Sequence, residues 1–182
     1  TYIQADDTSC LTAKTKTGVK INFYVTHASS RIEHPELVVK GTKGEATWKF
    51  PEQTEIKLND GQKISFDNQD KNPWKEVIRV AAKTKIAKLD QPYCTPENTR
   101  NFVVAINGAY DSTKVIRAIP EQYIKEFETE DGNYKTVLTD IEDIMDQAFK
   151  EEVLLSDLNV EWATATDIIN VSNYQEFNPF SN

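Results

Sequence analysis

Between Cys94 and Pro120 the chain reads CTPENTRNFVVAINGAYDSTKVIRAIP, a stretch that permits one long helix and demands a close neighbour for it. Thr95 suits the N-cap, and Pro96 suits the first helical position, where no amide donor is needed. Phe102, Val103, Ile106, Ala109, Tyr110 and Ile116 recur at helical spacing, and Pro120 marks the expected stop. Ala105, Gly108, Ala109 and Ser112 add a stripe of small residues beside that apolar face. Gly108 costs up to about 1 kcal/mol relative to alanine in mid-helix, so its use is close approach of another backbone. The spacing predicts a helix lying tightly across a sheet.

The sheet comes from the first third of the chain. Residues 8–14 lead into 19–27, where Val19, Ile21, Phe23 and Val25 alternate with Lys20, Asn22, Tyr24 and Thr26. Period two describes a strand, and the apolar set is assigned to its buried side. Residues 37–40 make a further strand and Gly41-Thr42-Lys43-Gly44 a tight turn. The alternation then returns in Ala46, Trp48 and Phe50, in Ile56 and Leu58, and in Ile64 and Phe66 after Asn59-Asp60-Gly61, a hairpin signal. Consecutive hairpins give a largely antiparallel sheet.

Helical spacing resumes at Pro73 with Trp74, Val77, Ile78, Ala81 and Ala82. Residues 121–138 predict two short strands about the turn Asp131-Gly132-Asn133. Thr139 and Glu142 form a capping-box pattern ahead of Ile141, Ile144, Met145, Ala148 and Phe149. From Ser156 onward there is no period but many aromatic residues, predicting an ordered coil over the domain. The expected fold is α+β: a two-layer sandwich of a largely antiparallel (mixed) sheet, with helices packed on one face and the other face open. With 182 residues, no repeat and no linker, one domain spanning 1–182 is the simplest account.

Composition narrows the function. A hydrophobic content of 38% and charged residues at 27% fit a globular protein. A net charge of −8 without a Lys/Arg cluster argues against nucleic acid. No run approaches the ~18 apolar residues of a membrane span. The sequence leaves the location unknown, with the cytoplasm as the expectation. The start at Thr1, without methionine or an apolar leader, suggests a processed product or an excised piece. Cys10 and Cys94 read as two buried thiols, and with His27 and His34 they lack the short paired spacing of zinc ligands. No dinucleotide, P-loop, serine-hydrolase or zincin motif is present. Asp6-Asp7 reads as solvated surface rather than an acid–base pair. His27 follows a strand directly, beside Ser29, Ser30 and Arg31. It either points into a cleft at the sheet's end or is a half-buried histidine satisfied locally.

Several segments, taken in order, carry a resemblance. Asp6-Asp7-Thr8, Gly18, Thr26-His27-Ala28 and Val39-Lys40-Gly41-Thr42-Lys43-Gly44 are followed by Cys94-Thr95-x-Glu97-Asn98-x-Arg100-Asn101-Phe102. Asn107-Gly108-Ala109-Tyr110-Asp111-Ser112, Ile119-Pro120, Leu155–Ala163 and Tyr174-x-x-Phe177 complete the series. Together they resemble the C-terminal domain of the Gfo/Idh/MocA family of oxidoreductases, relatives of glucose–fructose oxidoreductase and inositol dehydrogenase. The resemblance implies an N-terminal Rossmann domain outside this chain, which would bind NAD or NADP; this chain itself would hold no cofactor and no catalytic residue. The family's E-K-P lysine and D-x-x-x-H pair are not found here, so the isolated chain is expected to be inactive. What it would lend is substrate contacts to a sugar, cyclitol or related polyol, with His27, Arg31, Thr95, Asn98 and Arg100 as candidates. For Asn98 and Arg100, helix capping and surface charge are the plainer alternatives. The resemblance also implies a homo-oligomer built through the open sheet face, with Tyr24 at the contact. The competing reading is a free-standing ligand-binding or protein-interaction domain without catalytic activity. A strand, Gly-rich turn and helix encoded about 120 residues upstream would favour the oxidoreductase.

Overall fold

The computed structural model describes residues 5–51, 53–67, 72–86, 91–92 and 94–177. Its class is α+β, as expected, with antiparallel pairing throughout the described strands. The described strands divide among three sheets where the sequence predicts one. The chain forms two compact units, one of Thr1–Arg31 with Thr99–Asn182 and one of Ile32–Asn98.

In the first unit, β1 (Thr8–Lys14) and β2 (Lys20–Thr26) form a hairpin, with Leu11 opposite Phe23 and Ala13 opposite Ile21. Its facing reverses the sequence expectation. Val19, Ile21 and Phe23 stay 57%, 48% and 38% exposed. The polar side is instead engaged by the end of α3 (Ile141–Glu151). Lys20 Nζ donates to the Glu152 carbonyl at 2.7 Å, and Tyr24 Oη donates to the Val153 carbonyl at 3.0 Å. The Tyr24 ring also meets Phe149 edge-on, with centroids 6.1 Å apart. The physical reason is the helix end. Its last carbonyls lack intrahelical donors and carry the negative pole of the dipole, so a lysine and a phenol satisfy them better than valines would. Tyr24 therefore lies under a helix of its own chain rather than on an open face.

The β7 (Ile124–Glu128) and β8 (Tyr134–Leu138) hairpin forms where expected and leads into α3. Ala28, Leu138 and Ile141 make the core here, flanked by Ile119, Ile124, Met145 and Trp162. Ile141 is wholly buried, a placement that contributes about 1.5–3 kcal/mol. The predicted capping box does not form. Asp140, in the left-handed region, precedes the helix without a side-chain cap, and Glu142 turns elsewhere. Helix α2 (Pro96–Thr113) ends seven residues short of Pro120, because Lys114 takes a left-handed conformation.

In the second unit, β3 (Glu36–Gly41), β4 (Gly44–Lys49), β5 (Gln53–Leu58) and β6 (Lys63–Asp67) form a four-stranded meander. Register puts Val39, Ala46, Ile56 and Ile64 in one row and Leu37, Trp48, Thr54 and Phe66 in the next, on one apolar face. The opposite face carries ion pairs such as Lys49–Glu36 at 3.2 Å. Gly44 is required by space, since a Cβ there would sit 2.1 Å from the Lys57 carbonyl oxygen. Helix α1 (Pro73–Lys85) starts on Asn72, whose side chain accepts from the Lys75 amide at 3.1 Å. It buries Val80, while Trp74, Val77 and Ile78 of the predicted inner stripe remain exposed.

Candidate functional site

The exit of β2 is a turn held from both sides. On one side the His27 amide donates to the Asp7 carbonyl at 2.8 Å, keeping the histidine at the end of the hairpin. Ala28 is buried, and its carbonyl accepts from the Leu138 amide at 2.9 Å. On the other side Glu142 reaches back from the first turn of α3. One of its oxygens accepts from Ser29 Oγ at 2.9 Å, Ser30 N at 2.6 Å and Ser30 Oγ at 2.7 Å. Hydrogen bonds from Ser30 lead the causes that hold this carboxyl down at about 2, overcoming the desolvation that opposes them. Lys135 Nζ caps the Ser30 carbonyl at 3.0 Å, and Arg31 faces Asp146 at 3.4 Å. Arg31 is thus tied into an exposed ion pair with α3, which fixes the turn more than it offers a free guanidinium.

His27 itself is exposed and lies beside a second polar group. The Asp6 carboxylate accepts from Ser9 Oγ and from Tyr110 Oη of α2. Partial burial pushes the Asp6 carboxyl up, but these hydroxyls and the nearby His27 outweigh it and hold the group below its ordinary value. The same Asp6 hydrogen bond, with some burial, pushes the Tyr110 phenol up. The result is a carboxylate kept charged and a phenol kept protonated beside an accessible imidazole. Such a group can accept and donate hydrogen bonds to a hydroxylated ligand.

The other candidates lie apart in role. Thr95 and Asn98 bond to each other: the Thr95 amide donates to Asn98 Oδ1 at 2.9 Å and the Asn98 amide to Thr95 Oγ1 at 3.3 Å. This reciprocal cap starts α2 and belongs to the second unit, whereas His27, Arg31 and Arg100 belong to the first. Arg100 donates through Nη2 to the Tyr174 carbonyl. The capping alternative therefore describes Thr95 and Asn98, and Arg100 anchors the C-terminal segment.

Sequence reasoning missed Asp6, Ser9, Tyr110 and Glu142. The Asp6–Ser9 spacing of three was a visible local signal, since short polar side chains at such offsets hydrogen-bond one another. Tyr110 was read only for its apolar ring and Glu142 only as a cap. Cys10 is half-buried and Cys94 exposed, so the pair of buried thiols is not found; both are free. No group of His, Cys, Asp and Glu among the described residues is arranged to hold a metal ion. No described helix is long and apolar enough to cross a membrane. No protein-family model, curated protein or solved structure matches the chain.

Proposed function

We propose that this chain is the substrate-contacting and subunit-contacting domain of an NAD(P)-dependent oxidoreductase of the Gfo/Idh/MocA kind, acting on a sugar, cyclitol or related polyol. The observation that carries the reading is the order of the resembling segments together with the elements they occupy. Thr26-His27-Ala28 stands at the exit of β2, Gly41–Gly44 at the β3–β4 turn, and Cys94-Thr95 leads into the capped α2, which carries the segment on to Tyr110. In this reading His27 and the Asp6–Tyr110 pair contact ligand hydroxyls, and the Rossmann domain with its nicotinamide cofactor lies outside the chain. Assembly into a homo-oligomer uses a sheet face; on β1–β2 the bare side carries Val19, Ile21 and Phe23 rather than Tyr24.

Calorimetric titration tests the reading. The chain alone binds neither NAD nor NADP, because a dinucleotide needs a Gly-rich turn leading into a helix N-terminus. It binds a cyclitol or hexose weakly, and His27→Ala removes that binding. Saturable micromolar binding of either cofactor to the chain, or polyol binding indifferent to His27, would overturn the proposal. Complete silence towards all polyols favours the free-standing interaction domain.

A further inference from the structure

We infer that residues 164–177 form a releasable strap along α2, closed by a notch at Gly108, and that its opening bares Tyr110 and the Asp6 carboxylate. All of these residues belong to the first unit.

The strap belongs to no helix or strand. It is fastened at three places. Near the end of α2, Ser112 Oγ donates to the Asp167 carbonyl at 2.6 Å and Lys114 Nζ pairs with Asp167 at 2.8 Å. At the middle, Gly108 is buried because Val171 and Ile169 lie on it. A Cβ at position 108 would stand 2.8 Å from Val171 Cγ1, so glycine here is a seat for the strap rather than for a sheet. At the far end, Arg100 holds the Tyr174 carbonyl, Tyr174 Oη donates to Asp111, and Phe177 leans on the Tyr110 ring with centroids 6.0 Å apart.

These fastenings differ in kind from those of the hairpin beside it. β1 and β2 share a continuous ladder from Thr8–Thr26 to Lys14–Lys20, whose backbone hydrogen bonds support one another. Apart from the part-buried Tyr174–Asp111 bond, the strap's polar side-chain contacts are exposed and contribute little singly, and its Ile168 is entirely exposed. Segments with few buried apolar groups and exposed hydrogen bonds open locally, well below the free energy of global unfolding. The notch supplies the shape-specific contact, and loss of it frees the segment without disturbing Ile141 or the hairpin. Phe177 then leaves Tyr110, whose hydroxyl holds Asp6, so the strap controls access to that polar group.

Hydrogen exchange read by mass spectrometry, on the whole chain, tests this. In the wild type, 164–177 exchanges before β1, β2 and α3. Gly108→Ala accelerates exchange of 164–177 by about tenfold and leaves the hairpin unchanged, as expected for a local opening. Adding Val171→Ala makes room for the new methyl and slows the strap again. Nitration mapped to Tyr110 rises in Gly108→Ala and falls back in the double variant. A strap that exchanges together with β1–β2, or a Gly108→Ala effect spread evenly over the first unit, overturns the inference. So does a double variant as loose as Gly108→Ala, or nitration of Tyr110 that does not follow the exchange.

Discussion

Replacing Glu142 with glutamine removes a charge while keeping the shape of a side chain that holds the turn after β2. The carboxylate accepts from Ser29 Oγ, Ser30 N and Ser30 Oγ, and its pKa is held down to about 2 from an ordinary 4.5. A shift of that size, taken at 1.36 kcal/mol per unit, would be worth about 3 kcal/mol. The group is close to solvent, and screening reduces the contribution to about 1–2 kcal/mol. Because the folded pKa lies below the unfolded one, the stabilisation is complete above about 4.5 and is lost as the pH falls towards about 2. Glu142→Gln should therefore lower the free energy of unfolding by about 1–2 kcal/mol at pH 7. The difference from wild type should shrink through pH 4 and vanish near pH 2. Urea melts at pH 7, 5, 4 and 3 measure it. A deficit that is the same at pH 7 and pH 3 would refute the electrostatic account and leave only a packing effect. No deficit at pH 7 would show that water replaces the carboxylate without loss.

Tyr24→Phe keeps the edge-on contact with Phe149 but strands the Val153 carbonyl, and should cost about 1 kcal/mol in a urea melt. Burial, with Cys10, Glu152 and Asp157 nearby, pushes the Tyr24 phenol up to about 12. Stability from this group is complete below pH 10 and lost as the pH rises through about 12. Burial and Asp111 push the Tyr174 phenol up to about 12 as well, so alkaline titration followed at 295 nm should show several late tyrosines, and one fewer in Tyr24→Phe. A Tyr24→Asp variant that keeps full stability while changing only the scattering mass would put Tyr24 back on an open face. Thr139 Oγ1 is buried without a hydrogen-bond partner among the described residues. Thr139→Val should thus be neutral or stabilising by up to about 1 kcal/mol, and a clear loss of stability would reveal a partner for that hydroxyl.

The positions of the elements were legible in the residues themselves. Alternation in 19–27 and 46–66, the Asn59-Asp60-Gly61 turn and the Pro73 and Pro96 starts all correspond to observed strands, turns and helices. These are local properties: side-chain period and backbone preference act within a few residues and need no partner. The Thr95–Asn98 cap was legible for the same reason. Which side of an element faces inward was not. Lys20 and Tyr24 turn towards α3 because a helix end about 130 residues away presents carbonyls to them, and no local pattern encodes that meeting. Glu142 had a good local option as a cap, yet Ser29 and Ser30 offered three donors to one oxygen. The Asp6–Tyr110 pair joins residues 104 apart, and Gly108 receives the Val171 side chain where the sequence reading expected the backbone of a sheet. Sequence determined where the chain bends, coils and extends; tertiary structure alone decided which polar groups meet, because that choice depends on donors and acceptors brought together from distant segments.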